Sequence, residues 1–340
     1  MKLTDILFTA VNAVMPIILV ILLGYLLKRS GFFSKDFLKI GNKLVFNICL
    51  PCMLFVNVYE IESFASIQWD IVIYCVLMLL VIFVLGLATA VATTRVPERR
   101  GVILQCTFRS NFAIIGLSLA GALGGEQAMA VAAIVSAFTV PAFNILAVIA
   151  LSMFLEGTGK NSIRGVLINI AKNPLIISVA LGLVCLGIRG GQEAAFGEVV
   201  FRLDTQSKFL YKAVDNLASI ASPFALLVLG GQFEFSAVRG LLKEIVVSTF
   251  WRIVLAPLIG IGCAIFLSAS TDLLRCGVNE YPALVAMFGS PVAVSSAIMA
   301  GSMKNDEQLA TQLVVWTSLL SIVTIFATVC LLMGLGLLAV

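Results

Sequence analysis

Histidine is absent from this chain of 340 residues, and charge of either sign is scarce: 22 Lys and Arg with 18 Asp and Glu make 12% of the sequence. Without histidine, the commonest metal ligand and the usual general base at neutral pH are missing. No apolar run carries an acidic pair and no metal-ligand cluster stands out, so no enzyme, metal or cofactor is expected. A soluble domain carries roughly 25% charged residues to wet its surface. This chain cannot do so, and its solvent must be lipid. A net charge of +4 spread over short loops builds no nucleic-acid groove. With no G-x-x-x-x-G-K-[ST] loop, a nucleotide-driven pump is not expected either.

What the chain does have is apolar sequence: 61% of its residues are hydrophobic, with a mean hydropathy of +1.10. Crossing a bilayer takes about 20 mostly apolar residues as a helix. The sequence predicts ten such spans, over 5–27, 37–58, 70–93, 101–122, 127–154, 166–188, 210–232, 245–269, 281–303 and 308–337. Their continuous apolarity favours an all-α polytopic membrane protein over a barrel of alternating strands. The first run reads as a retained span, because Lys28 and Arg29 follow it and no clear cleavage site does. Fourteen Lys and Arg fall on one set of alternate loops and six on the other. Basic loops stay cytoplasmic, so both termini are expected outside the cytoplasmic (inner) membrane.

Residues 42–64, NKLVFNICLPCMLFVNVYEIESF, parallel 213–235, AVDNLASIASPFALLVLGGQFEF, and each has a mid-span proline, Pro51 and Pro223. Likewise SNFAIIGLSLAGALGGEQA resembles SPVAVSSAIMAGSMKNDEQLA; Ser110 to Glu126 is 16 residues and Ser290 to Glu307 is 17. Two five-span halves follow, 1–157 and 160–340. Five is odd, so the second half is inverted, a common build among secondary transporters.

Polar groups inside a bilayer are costly and tend to mark sites. Span 4 holds Gln105, Arg109, Ser110, Asn111 and Ser118, and span 9 holds Ser290, Pro291, Ser295 and Ser296. Proline removes a donor and clashes with the preceding turn, so span 9 should break around Gly289–Pro291. A matching break in span 4 near Asn111 and Gly116 would make two interrupted helices cross. Their freed N–H groups would favour an anion, with Arg109 as its cationic partner. The expected substrate site is therefore Arg109, Ser110, Asn111, Ser290, Pro291, Ser295 and Ser296. Pro51 serves equally as a tolerated kink, Arg109 could instead snorkel, and Arg252 is expected to snorkel or form a structural ion pair. The Cys49-Leu-Pro-Cys52 pattern lies inside an apolar span and reads as packing. Glu60, Glu62 and Asp70 read as a solvated acidic loop, and 189–216, with four charges of each sign, as an external connector.

The segments ILLGYLLKRSGFFS, NKLVFNICLPCMLF, FRSNFAIIGLSLAG, NPLIISVALGL, SPFALLVLGGQFEF and GSPVAVSSAIMA resemble, in order and spacing, the auxin efflux carrier family. That family includes plant auxin exporters and bacterial malate and malonate transporters. The resemblance implies an elevator-type secondary transporter, with spans 1, 2, 6 and 7 as a scaffold that dimerises. Spans 3–5 and 8–10 would form the moving unit, and Asn111 and Pro291 the crossover. Where the family commonly has G-x-P, this chain reads Gly116-Leu117-Ser118. A receptor that binds the same anion without moving it is the competing reading.

Overall fold

The computed structural model describes residues 3–60, 68–155, 171–271 and 273–338. Lys2, Glu62, Lys160, Arg164, the join between the two proposed halves and the start of span 6 lie outside them. The described residues are helical, and their one β-type feature is an isolated bridge.

Helix α1 (Leu3–Arg29) is followed by α2 (Lys35–Tyr59), α3 (Trp69–Thr93) and a short α4 (Pro97–Phe108). After a break comes α5 (Phe112–Ser152), then α6 (Pro174–Phe196), the single turn α7 (Leu203–Gln206) and α8 (Lys208–Gln232). The chain ends with α9 (Phe235–Ser270), two short helices α10 (Glu280–Gly289) and α11 (Ser295–Ser302), and α12 (Glu307–Gly334). Among the described residues, seven helices, α2, α3, α5, α6, α8, α9 and α12, are long and apolar enough to cross a membrane. Each covers most or all of one expected span, except that α5 carries the second half of span 4 together with span 5, the first half of span 4 being α4. Gly124 and Gly125 separate them, with Gly125 at φ 71, ψ −163, a region open almost only to glycine.

One expected feature, the break at Gly116, is corrected, and of the two readings of Pro51 the structure has the tolerated kink. Ahead of Pro51 the backbone widens into a π turn over Val45–Cys49, which shifts the carbonyl that the proline ring would strike. The same device, Trp251–Leu255, precedes Pro257 in α9. Gly116 is helical at φ −65, ψ −45. Its role is close packing: a Cβ there would lie 2.3 Å from Phe112 and 3.1 Å from the Ala286 carbonyl of α10. Ahead of Pro223 the helix is interrupted at a single turn residue, Ile220 (φ −81, ψ −11), between Ser219 and Ala221.

Helix α1 packs along the second half of α8 and along α12, while the second half of α2 packs on α6 and the first half of α8. Helix α5 packs on α10, and α3 on α4. Between these groups lies the meeting point of the two helix breaks.

Candidate functional site

At the end of α4 the backbone turns extended at Arg109 (φ −83, ψ 100), and helix resumes only after Asn111 (φ −80, ψ 43). After α10, Ser290 is extended (φ −63, ψ 146), and α11 begins at Ser295. The two interruptions pair with each other. Ser110 and Val292 form an antiparallel bridge, Asn111 N donates to the Pro291 carbonyl at 2.8 Å, and Ala293 N donates to the Arg109 carbonyl at 3.2 Å. Unpaired backbone is costly in an apolar interior, and each break meets that cost for the other.

Arg252, on the π turn of α9, serves further carbonyls at the breaks. It is 1% exposed and donates to the carbonyls of Thr107, Met287, Phe288 and Ser290, where α4 and α10 end. It neither snorkels nor has an ion pair among the described residues. A cation at helix C-termini is the favourable sign for the dipole.

Arg109, also buried at 3% exposure, works differently. Its guanidinium donates to Asn144 Oδ1 at 2.6 Å, to Ser295 Oγ at 2.9 Å and to the Met299 sulfur. All three are neutral, and among the described residues it has no acidic partner. It borders a cavity of about 40 Å³ lined also by Ser110, Asn111, Asn144, Ser222 and Ser295, with Leu50, Met53 and Phe143 on an apolar wall. Ser110 Oγ and Asn111 Nδ2 are buried without a hydrogen-bond partner among the described residues. The first N–H groups of a helix have no partner within it, and Ala113, on the first turn of α5, also lines this cavity.

Four of the expected site residues, Arg109, Ser110, Asn111 and Ser295, thus come together. The other three do not line the cavity. The Ser290 hydroxyl donates back to Ala286 O at 2.6 Å and its carbonyl serves Arg252. The Pro291 carbonyl is used by Asn111. The Ser296 hydroxyl is buried without a hydrogen-bond partner among the described residues, and Ser296 is not part of the cavity lining. Ser118 is exposed. Asn144 was not anticipated, although an amide inside the apolar run PAFNILAV is itself a signal.

Ala113 and Val140 are shared with a wider cleft of about 690 Å³ on the side of the 189–216 connector. Tyr59, Glu60, Arg202, Asp204 and Tyr211 line its mouth. Tyr59 donates to Asp204 at 2.9 Å, and Arg202 pairs with Asp204 at 2.8 Å. The Arg202 guanidinium holds the Asp204 carboxyl down to about 2. On the opposite side, a cleft of about 800 Å³ is lined by Lys28, Lys35, Lys39 and Lys43.

The family model described as Membrane transport protein matches residues 9–329. Among curated relatives, the Uncharacterized transporter YfdV of Escherichia coli strain K12 is 26% identical over 272 residues, 74% of this chain and 79% of that protein. The Uncharacterized transporter MJ1031 of Methanocaldococcus jannaschii is 23% identical over 251 residues, 72% of this chain and 76% of that protein.

Proposed function

The chain belongs to the auxin efflux carrier family of membrane transport proteins, and from that premise we propose that it carries a small organic anion by elevator-type alternating access. It is a multi-pass membrane transporter rather than an enzyme. The observation that carries the anion reading is Arg109: a buried cation with no acidic partner among the described residues, beside a helix start with an unpartnered serine hydroxyl and amide. A carboxylate would complete it by charge-assisted hydrogen bonds, as malate, malonate or an auxin-like acid could. The cavity of about 40 Å³ is far below the several hundred typical of ligand sites, so loading requires the surrounding helices to part.

Spans 1, 2, 6 and 7, here α1, α2, α6 and α8, would be the dimerising scaffold. The helices that carry the two breaks would slide against it along the α1–α12 seam. Two inverted halves allow inward- and outward-open states of similar energy.

Flux of labelled carboxylates into proteoliposomes tests the proposal. Transport of at least one carboxylate is expected, and its loss in Arg109→Gln and Asn111→Ala. Flux that both variants retain removes this site, and binding without flux converts the protein to a receptor.

A further inference from the structure

The lysine-rich cleft contains, where four helices meet, polar side chains that the anion site does not use. Glu307 opens α12, and its Oε1 accepts from Asn42 Nδ2 of α2 at 3.0 Å and from Gln232 Nε2 of α8 at 2.7 Å. Each amide turns its nitrogen to the carboxylate, leaving Asn42 Oδ1 and Gln232 Oε1 buried without a donor among the described residues. Ser302 Oγ, at the end of α11, and Gln308 Oε1 of α12 line the same cleft and are likewise unpartnered. Asn42 is only 7% exposed. A bare buried acceptor costs about 1–3 kcal/mol, so four beside one carboxylate are expensive unless something binds them.

The chemistry of the set narrows what binds. It offers one carboxylate, three amide oxygens and a hydroxyl, all hard oxygen donors, the class that takes hard cations. One negative charge neutralises one positive charge, whereas a divalent ion would leave an unbalanced charge in a partly buried place. A half-turn of either amide exchanges its N–H for its oxygen and directs that oxygen at the carboxylate, an arrangement that only a shared cation or proton makes favourable. Gly301 keeps the spot open: a Cβ there would lie 2.4 Å from Glu307 Oε1 and 2.8 Å from Asn42 Nδ2. Lys28, Lys35, Lys39, Lys43 and Glu234 line the cleft too, but no lysine pairs with Glu307 among the described residues. Lys35, Lys39 and Lys43 are exposed, where salt screens them.

We propose that Glu307, Asn42, Gln232, Ser302 and Gln308 form a binding site for a monovalent alkali cation, sodium, separate from the anion cavity. The site joins α2 and α8 to α11 and α12, so its occupancy ties together the two groups of helices that flank the central cavity.

The test is equilibrium binding of radioactive sodium to the purified full chain in detergent. It is paired with thermal melts in sodium, potassium and choline chloride at equal ionic strength, without any organic anion. Saturable sodium binding is expected, with a midpoint raised by sodium and not by choline. Glu307→Gln and Gly301→Ala should weaken sodium binding at least about tenfold through loss of the charged ligand and of the space it occupies. Arg109→Gln should leave it unchanged. Should Glu307→Gln fold poorly, Gln308→Leu decides the matter by the same titration. Binding that these substitutions do not weaken overturns the site. A midpoint that follows pH but ignores sodium also overturns it, and assigns Glu307 to a proton. Sodium binding without carboxylate flux would leave this site standing while the anion proposal fails.

Discussion

Arg109 and Arg252 are both buried guanidinium groups within membrane-spanning sequence, yet their partners give them opposite roles. Arg252 donates to four carbonyls that end two helices. Each carbonyl stripped of its donor costs about 1–3 kcal/mol. Arg252→Leu is therefore expected to lower the thermal midpoint sharply, as read by scanning fluorimetry. Arg109 faces neutral groups across a cavity. Arg109→Gln should weaken carboxylate binding by about 10–100-fold, the 1.5–3 kcal/mol of a charged hydrogen bond, while the thermal midpoint of the unliganded protein holds or rises. A midpoint that falls as far as that of Arg252→Leu would make Arg109 a structural residue. Asn144→Ala should mimic Arg109→Gln in part, because it leaves the guanidinium unheld.

Among elements, α1 and α8 approach each other closely at two glycines. A Cβ at Gly230 would sit 2.0 Å from the Ile21 carbonyl, and one at Gly24 would sit 2.2 Å from the Leu227 carbonyl. Small residues let membrane helices approach this closely. Gly230→Ala must push backbone aside at about 1–3 kcal/mol and should lower the midpoint. Gly240→Ala meets nothing within 4 Å and should be neutral or slightly stabilising. On the connector side, α7 is held to α2 through Asp204 and Tyr59. The Asp204 carboxyl is depressed to about 2, so its contribution is complete above about pH 4, the ordinary range of an aspartate. That contribution declines as pH falls from there through about 2. Protection from hydrogen exchange over residues 200–207, taken relative to the intrinsic amide rate at each pH, should accordingly hold from neutral pH to about pH 4 and fall below it. Loss of protection already at pH 6 would show that this contact does not hold the connector.

Across the whole molecule, the two clefts lie on opposite sides of the central cavity, one lined by lysines and the other by the connector. Cysteines replacing Ser30 and Thr205, both exposed, should therefore react with an impermeant maleimide from opposite faces of the membrane, Ser30→Cys from the cytoplasm. Labelling of both from one face would overturn the charge-based orientation.

Lipid as solvent, helix as the secondary structure and the approximate limits of most apolar segments were legible in composition and run length. They depend on local hydropathy, which every residue carries regardless of its neighbours. Proline and glycine were poorer guides. Pro51 proved compatible with a continuous helix because a π turn absorbs its clash. The break beside Asn111 has no proline at all: it is held open by backbone pairing with residues 291–293. Four of the expected anion residues, Arg109, Ser110, Asn111 and Ser295, do converge, whereas Ser290 and Pro291 serve the backbone. No local pattern distinguishes a hydroxyl that faces a cavity from one bonded back to its own helix, since that depends on rotation about the axis and on what packs opposite. The partners of Arg252 and the gathering of oxygens around Glu307 likewise arise from contacts between residues far apart in the chain.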